Sequence, residues 1–143
     1  MKFLHTLALL LSLATAAPGA WAQAWPAAKP IRLVIPFPAG GATDIIGRQV
    51  AQKLSVALGQ QVVVDNKPGA GGVIGSDLVA KAPADGYTLL MATSSTHSIG
   101  PMLNPKMPYD SVKDFAPVSH IANAPSVLVV GQNFPANSAR EPE

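Results

Sequence analysis

The sequence predicts an α/β fold built on a mainly parallel sheet flanked by helices. Three observations carry that reading. A near-continuous apolar run, Ile31 to Phe37, gives way at Thr43 to apolar residues spaced three to four apart. A second β-branched run follows at Gln61 to Asp65, then a second helical pattern at Val73 to Ala82. A third apolar run, Tyr87 to Thr93, completes the alternation. Strand, helix, strand, helix, strand is the order that makes parallel strands joined by right-handed crossovers.

Each element has its own local reason. Residues 1–22 carry Lys2, the apolar run "LALLLSLATAA" from Leu7 to Ala17, and Ala20-Trp21-Ala22. A short positive start, an apolar stretch and a small-x-small site describe a secretory signal peptide, with cleavage expected after Ala22. The stretch is shorter than the roughly 18 apolar residues that a membrane span needs, so the chain is not itself membrane-spanning. Residues 23–30 form a short arm. Ile31–Phe37 contains a single charge, Arg32, and reads as a strand buried on both faces. Ile46, Val50, Leu54 and Ala57/Leu58 then make one apolar stripe, with Gly59 placed as a C-terminal cap. "QVVVD" is the second strand, and "NKPGAGG" turns the chain into the second helix, whose Ile74, Leu78, Val79 and Ala82 point inward. Asp85-Gly86 is a tight turn before the third strand. Beyond Thr93 the rhythm breaks at Pro101, Pro105 and Pro108. Phe115–Ile121 and Ser126–Val130 read as two further strands, giving a first α/β lobe over 31–130 and a tail over 131–143 without periodicity.

Composition removes several functional classes. Taking 22 of the 143 residues away leaves 121, one small domain. Without Lys2 the side chains count 9 basic and 8 acidic, a net charge of +1, so no basic face for nucleic acid is expected. There is no cysteine, and only His97 and His120 remain after the leader, a poor basis for a metal site.

Chemistry in an open parallel sheet belongs to the loops at the carboxyl ends of the strands. Three qualify. The first, Phe37-Pro38-Ala39-Gly40-Gly41-Ala42-Thr43-Asp44, opens a helix whose leading amides have no partner of their own. Gly40 and Gly41 leave room for a guest, and the positive end of the helix favours an anion. A phosphate loop would need Gly-Lys-Ser/Thr, and the sequence has Gly41-Ala42-Thr43, so a carboxylate fits better. The competing reading is a plain strand-to-helix turn capped by Thr43 or Asp44. The second loop, Gly69-Ala70-Gly71-Gly72, lines the cleft. With Gly75 it imitates a dinucleotide fingerprint, but its third glycine falls one place late and no acidic residue ends the third strand. The third loop brings Ser94, Ser95, Thr96 and His97, hydroxyls and an imidazole suited to binding a carboxylate oxygen. An exported hydrolase using Ser95 with His97 is the enzymatic alternative, though no G-x-S-x-G elbow surrounds any serine.

The run "KPIRLVIPFPAGGATDIIGRQVAQKLSVALGQQVVVDNKPGAGGVIGSDLVAKAPADGYTLLMATSSTHSI", followed by "YDSVKDFAPVSHIA", resembles the Bug family, the periplasmic receptors of tripartite tricarboxylate transporters. The resemblance covers about Lys29 to Pro135. It implies a type II periplasmic-binding-protein lobe, a small carboxylate ligand at the Phe37–Asp44 and Ser94–His97 loops, and the glycine loop beside them. It also implies partner permease subunits in the membrane, no cofactor and no catalysis. Family members carry a second lobe and return to complete the first, so the resemblance implies an incomplete lobe here. A truncated, non-functional product of such a receptor is the alternative.

Overall fold

The computed structural model of the chain describes residues 25–125 together with 127 and 129. The signal peptide, most of the Ser126–Val130 segment and the tail lie outside them. Strand β1 is Ile31–Ile35 and helix α1 is Ala42–Leu58. Strand β2 is Val62–Asn66, followed by a 3-10 turn at Ala70–Gly72 and helix α2 at Val73–Ala80. Strand β3 is Thr88–Leu90. A π-helical turn, Ser95–Ile99, then runs into a single-turn helix, α3, at Gly100–Leu103. The three strands are parallel in the order β2-β1-β3.

That order follows from two crossovers running in opposite directions. The chain leaves β1 through α1 to reach β2, then returns past β1 through α2 to reach β3. Right-handed crossovers of opposite sense place their helices on opposite faces of the sheet. The middle strand is therefore covered twice, which is why its residues are apolar without alternation. Ile31 and Leu33 pack with Ala51 and Val62 on the α1 side, and Leu54, Leu58, Val64 and Leu89 close around them. Ile35 presses on Gly47 of α1, where a Cβ would come within 2.6 Å of Ile35 Cδ1. Val34, pointing the other way, is equally buried. Burying one such side chain stabilises by roughly 1.5–3 kcal/mol, so β1 anchors the lobe.

Arg32, the one charge in β1, stays half-exposed on the α2 side of the sheet and its Nε donates to Asp65 Oδ2 at 2.6 Å. Lys67 reaches Asp65 Oδ1 at 3.2 Å. Partial burial pushes the Asp65 carboxyl up, and the donors from Arg32 and Lys67 outweigh it, leaving the group below its ordinary value.

The residues before β1 are tied down. Trp25 Nε1 donates to Gly86 O, Gln60 Nε2 donates to Pro26 O, and Lys29 pairs with Asp85 at 2.8 Å. Gly59 ends α1 in the left-handed conformation, φ 61°, as its position predicts.

Two expectations are corrected. Ile74 was expected to face inward and is 55% exposed. The face of α2 that meets the sheet is made of Gly75 and Ser76 instead, because the helix lies too close for a branched side chain. A Cβ on Gly75 would stand 2.7 Å from Lys67 O and 2.9 Å from Pro36 Cα. The expected strand Phe115–Ile121 is irregular, with Val118 87% exposed. A strand needs a neighbouring edge to hydrogen-bond, and among the described residues β3 pairs with β1 alone.

Candidate functional site

All three chemistry-bearing loops sit at the carboxyl edge of the sheet. They meet at Gly72. Its φ of 96° lies where side chains are rarely tolerated, and a Cβ there would strike Thr96 Cγ2 at 2.6 Å and Phe37 Cζ at 3.2 Å. The turn after β1, the glycine turn after β2 and the π turn after β3 thus touch one another through a residue without a side chain.

The first turn shows why the sequence folds as it does. Gly41 is the N-cap of α1 in extended conformation, with no side-chain cap. The cap comes from inside the helix: Asp44, at the third helical position, reaches back so that Gly40 N donates to its Oδ2 at 2.8 Å. Arg48 Nε donates to the same oxygen at 2.9 Å, and Asn66 Nδ2 donates to Oδ1 at 2.9 Å. The same Asn66 amide donates to Phe37 O at 3.1 Å, while Arg48 Nη2 donates to Asn66 Oδ1 at 3.1 Å. Asp44 is 3% exposed, and its carboxyl is held down to about 2, first by Arg48, then by the Gly40 amide and Asn66.

The consequence is a division of labour along the turn. Of the sequence-predicted residues, Asp44 faces inward with both oxygens engaged, and Phe37 is half-buried against Gly72. Pro38, Gly40, Gly41 and Ala42 are exposed and Thr43 is half-exposed. With Asp44 tied backwards and neutralised by Arg48, no free carboxylate among the described residues of this turn repels an anion approaching the leading amides of α1.

The third loop divides similarly. Thr96 is fully buried, and its hydroxyl bonds to Thr93 O and to His97 Nδ1 at 3.0 and 2.9 Å. Ser95 Oγ lies 2.9 Å from Thr93 Oγ1. Ser94 and Ser95 are exposed, as is Ser98 after them, so their hydroxyls are open to a guest. His97 is half-buried, with Phe115 edge-on at 4.5 Å and Tyr109 tilted at 5.9 Å between ring centres. Burial lowers its pKa, which leaves the ring neutral at pH 7. The imidazole bonds to Thr96 and the Ser95 hydroxyl to Thr93, an arrangement that does not make a nucleophile–base pair.

In the second loop Gly72 is buried, while Ala70 and Gly71 are exposed and Gly69 is intermediate. Asn66 and Arg48 are the residues that sequence reading missed. Asn66 ends a strand whose loops were already suspected, and Arg48 stands four residues after an acid in the first helical turn, the spacing at which side chains pair. Among the described residues, no group of three or more His, Asp or Glu side chains is placed to hold a metal. No described helix is long and apolar enough to cross a membrane.

Comparison with known proteins gives the family of the chain. Residues 46–142 match the profile of the tripartite tricarboxylate transporter family receptor. The chain is 42% identical to BugT of Bordetella pertussis over 138 residues, which is 96% of this chain and 42% of BugT. It is similar to the structure of the periplasmic binding protein BugD, with 41% identity and a TM-score of 0.59 over 62% of this chain and 29% of BugD. It is also similar to MatC of Rhodopseudomonas palustris with bound malate, with 36% identity and a TM-score of 0.64 over 66% of this chain and 32% of MatC. The chain thus spans well under half the length of these relatives.

Proposed function

Because the chain belongs to the tripartite tricarboxylate transporter receptor family, a family of solute-binding receptors rather than enzymes, we propose that it forms the first part of an exported receptor for a small carboxylate. The observation that carries this reading is the opening of α1. Its leading amides follow an exposed glycine backbone, and the nearby acid is turned inward and paired with Arg48. A carboxylate fits such a site better than a polyphosphate, since no lysine stands in the turn. The hydroxyls of Ser94 and Ser95 are suited to its remaining oxygens. The malate in MatC supports a dicarboxylate.

The signal peptide reading sends the receptor to the periplasm, and its partner there is the membrane permease of the transporter. One lobe supplies two or three contacts. Charge-assisted hydrogen bonds contribute about 1.5–3 kcal/mol each, and a partly buried helix end adds up to about 2. The sum, roughly 3–11 kcal/mol, is of the same size as an association cost of about 4–15. The surplus is near zero, so these residues alone bind at about millimolar strength or not at all, and micromolar capture, roughly 8 kcal/mol net, requires the further residues that the longer relatives possess.

The test is a titration of the isotope-labelled chain with malate, succinate, adipate and citrate, following backbone amide resonances. Saturable shifts at Ala42, Thr43, Ser94 and Ser95 with one of these compounds are the expected result. No shift at any of those four amides, with any of these compounds or in a receptor extended by the further residues of its longer relatives, overturns the reading.

A further inference from the structure

We propose that Asn66 is a positioning residue of this carboxylate site, setting the shape of the turn that offers the α1 amides without itself touching the guest. The proposal rests on the receptor reading above.

Asn66 is the last residue of β2, the strand beside β1, and its side chain crosses to the neighbouring turn. There it makes three bonds of two kinds. The Nδ2 group donates to Phe37 O at the start of the turn and to Asp44 Oδ1 at its end. The Oδ1 atom accepts from Arg48 Nη2. Asp44 in turn holds Gly40 N through its other oxygen. The turn is therefore fastened at its first residue, near its middle and at its last, and Asn66 bonds directly to two of the three points. A primary amide supplies both donors on one side and an acceptor on the other, and no other side chain of that size does so.

Glycine at positions 40 and 41 makes this fastening necessary. Two adjacent glycines have no preferred conformation of their own, so the direction of the α1 amides depends on what grips the turn from outside. A misplacement of about an ångström is enough to weaken a directional site substantially.

The test exploits the isosteric Asn66→Asp. At pH 8 the new carboxylate faces two acceptors, Phe37 O and Asp44 Oδ1, and has no proton to give either. The Asp44 charge raises the variant group's pKa and the Arg48 guanidinium, which donates to the same side chain, lowers it. Protonation, which returns a donating O–H, is therefore followed directly through the carboxyl carbon resonance of the variant. With malate as the probe, the variant at pH 8 is expected to bind about tenfold or more weaker than wild type, the weight of one lost hydrogen bond. The ratio of wild-type to variant affinity shrinks as pH falls through the pKa so measured, without reaching one, because a single O–H replaces two N–H donors. Using the ratio cancels the titration of malate itself. Asn66→Ala has no proton to recover and stays weak throughout. In the wild type, the Asn66 side-chain amide and the Gly40 amide shift together on saturation.

A merely space-filling role predicts that Asn66→Asp binds like wild type at every pH, and that result overturns the assignment. So does a wild-type to variant ratio that does not move as the variant carboxyl gains its proton, or a wild type whose Asn66 and Gly40 signals stay still while those of Ala42 and Thr43 move. A wild type that binds no carboxylate is a different failure: it removes the receptor reading, and this assignment with it.

Discussion

The Tyr109 hydroxyl donates to Thr96 O at 2.8 Å, and the bond is buried. In the π turn the amide of Gly100 bonds to Ser95 O, five residues back. The same spacing would give the next carbonyl, Thr96 O, to residue 101, which is proline and has no N–H. Tyr109 supplies the missing donor from 13 residues further on, which makes the irregular 104–115 segment part of the site's support. Tyr109→Phe keeps the ring and its packing on Phe115 but leaves that carbonyl unpaired. A loss of about 1–3 kcal/mol is expected, a fall of several degrees in the melting midpoint for a domain of this size. A melt unchanged within about 0.5 kcal/mol would show that the carbonyl finds another donor.

Gly75 predicts a steeper cost than Gly47. Both allow a helix to approach β1, but the neighbours differ. A Cβ at position 47 meets the end of the Ile35 side chain, which can turn away. A Cβ at position 75 meets the Lys67 carbonyl and the Pro36 ring and backbone, which cannot. Overpacking of this kind costs about 1–3 kcal/mol. Gly75→Ala is expected at or above the top of that range and Gly47→Ala toward the bottom, compared by urea denaturation. Equal costs would mean that α2 can lift off the sheet as freely as a side chain rotates.

The alternation of strands and helices was legible because β1 is buried on both faces and α1 on one, and each burial pattern leaves its own period. Gly59 was legible because a left-handed cap is a local requirement. Ile74 misled because α2 meets the sheet through its smallest residues, a distance that no periodicity encodes. Phe115–Ile121 misled because β-propensity speaks for a strand only where an edge waits to receive it. Asp44 was found as a residue but not in its direction: the same carboxylate serves a ligand or a cap according to whether Arg48 and Asn66 lie behind it. Asn66 reaches Asp44 across 22 positions, and single-sequence reading has no access to that contact.

His97 gives a pH dependence whose sign is fixed by its burial. Its folded pKa lies below the ordinary 6.5, so the folded state prefers the neutral ring. The unfolded chain takes up the proton first. Stability is therefore full above about pH 6.5, falls as pH drops through that value, and levels off below the depressed folded pKa. His97→Phe preserves an aromatic neighbour for Tyr109 and Phe115 and removes the titration. Melting midpoints between pH 8 and 5 are expected to decline less in this variant than in wild type. Parallel declines would assign the effect to other groups.

Asp44 governs a second limb at lower pH, with the same method and a different cause. Its carboxyl sits at about 2 in the folded chain against an ordinary 3.8. The folded state thus holds the charged form, and its contribution is complete above about pH 4 and lost as pH falls toward 2. Asp65, Asp85 and Asp110 are also held below their ordinary values, so removing Asp44 reduces the acid limb without abolishing it. Asp44→Asn places an amide against the donors of Gly40, Arg48 and Asn66, and at least one N–H must then face another N–H. That variant is expected to melt below wild type at pH 7 and to converge with it as pH approaches 2, where the wild-type carboxyl has gained its own proton. A constant gap across the range would mean that the cost is one of packing. The charge on Asp44 would then contribute nothing to holding the turn.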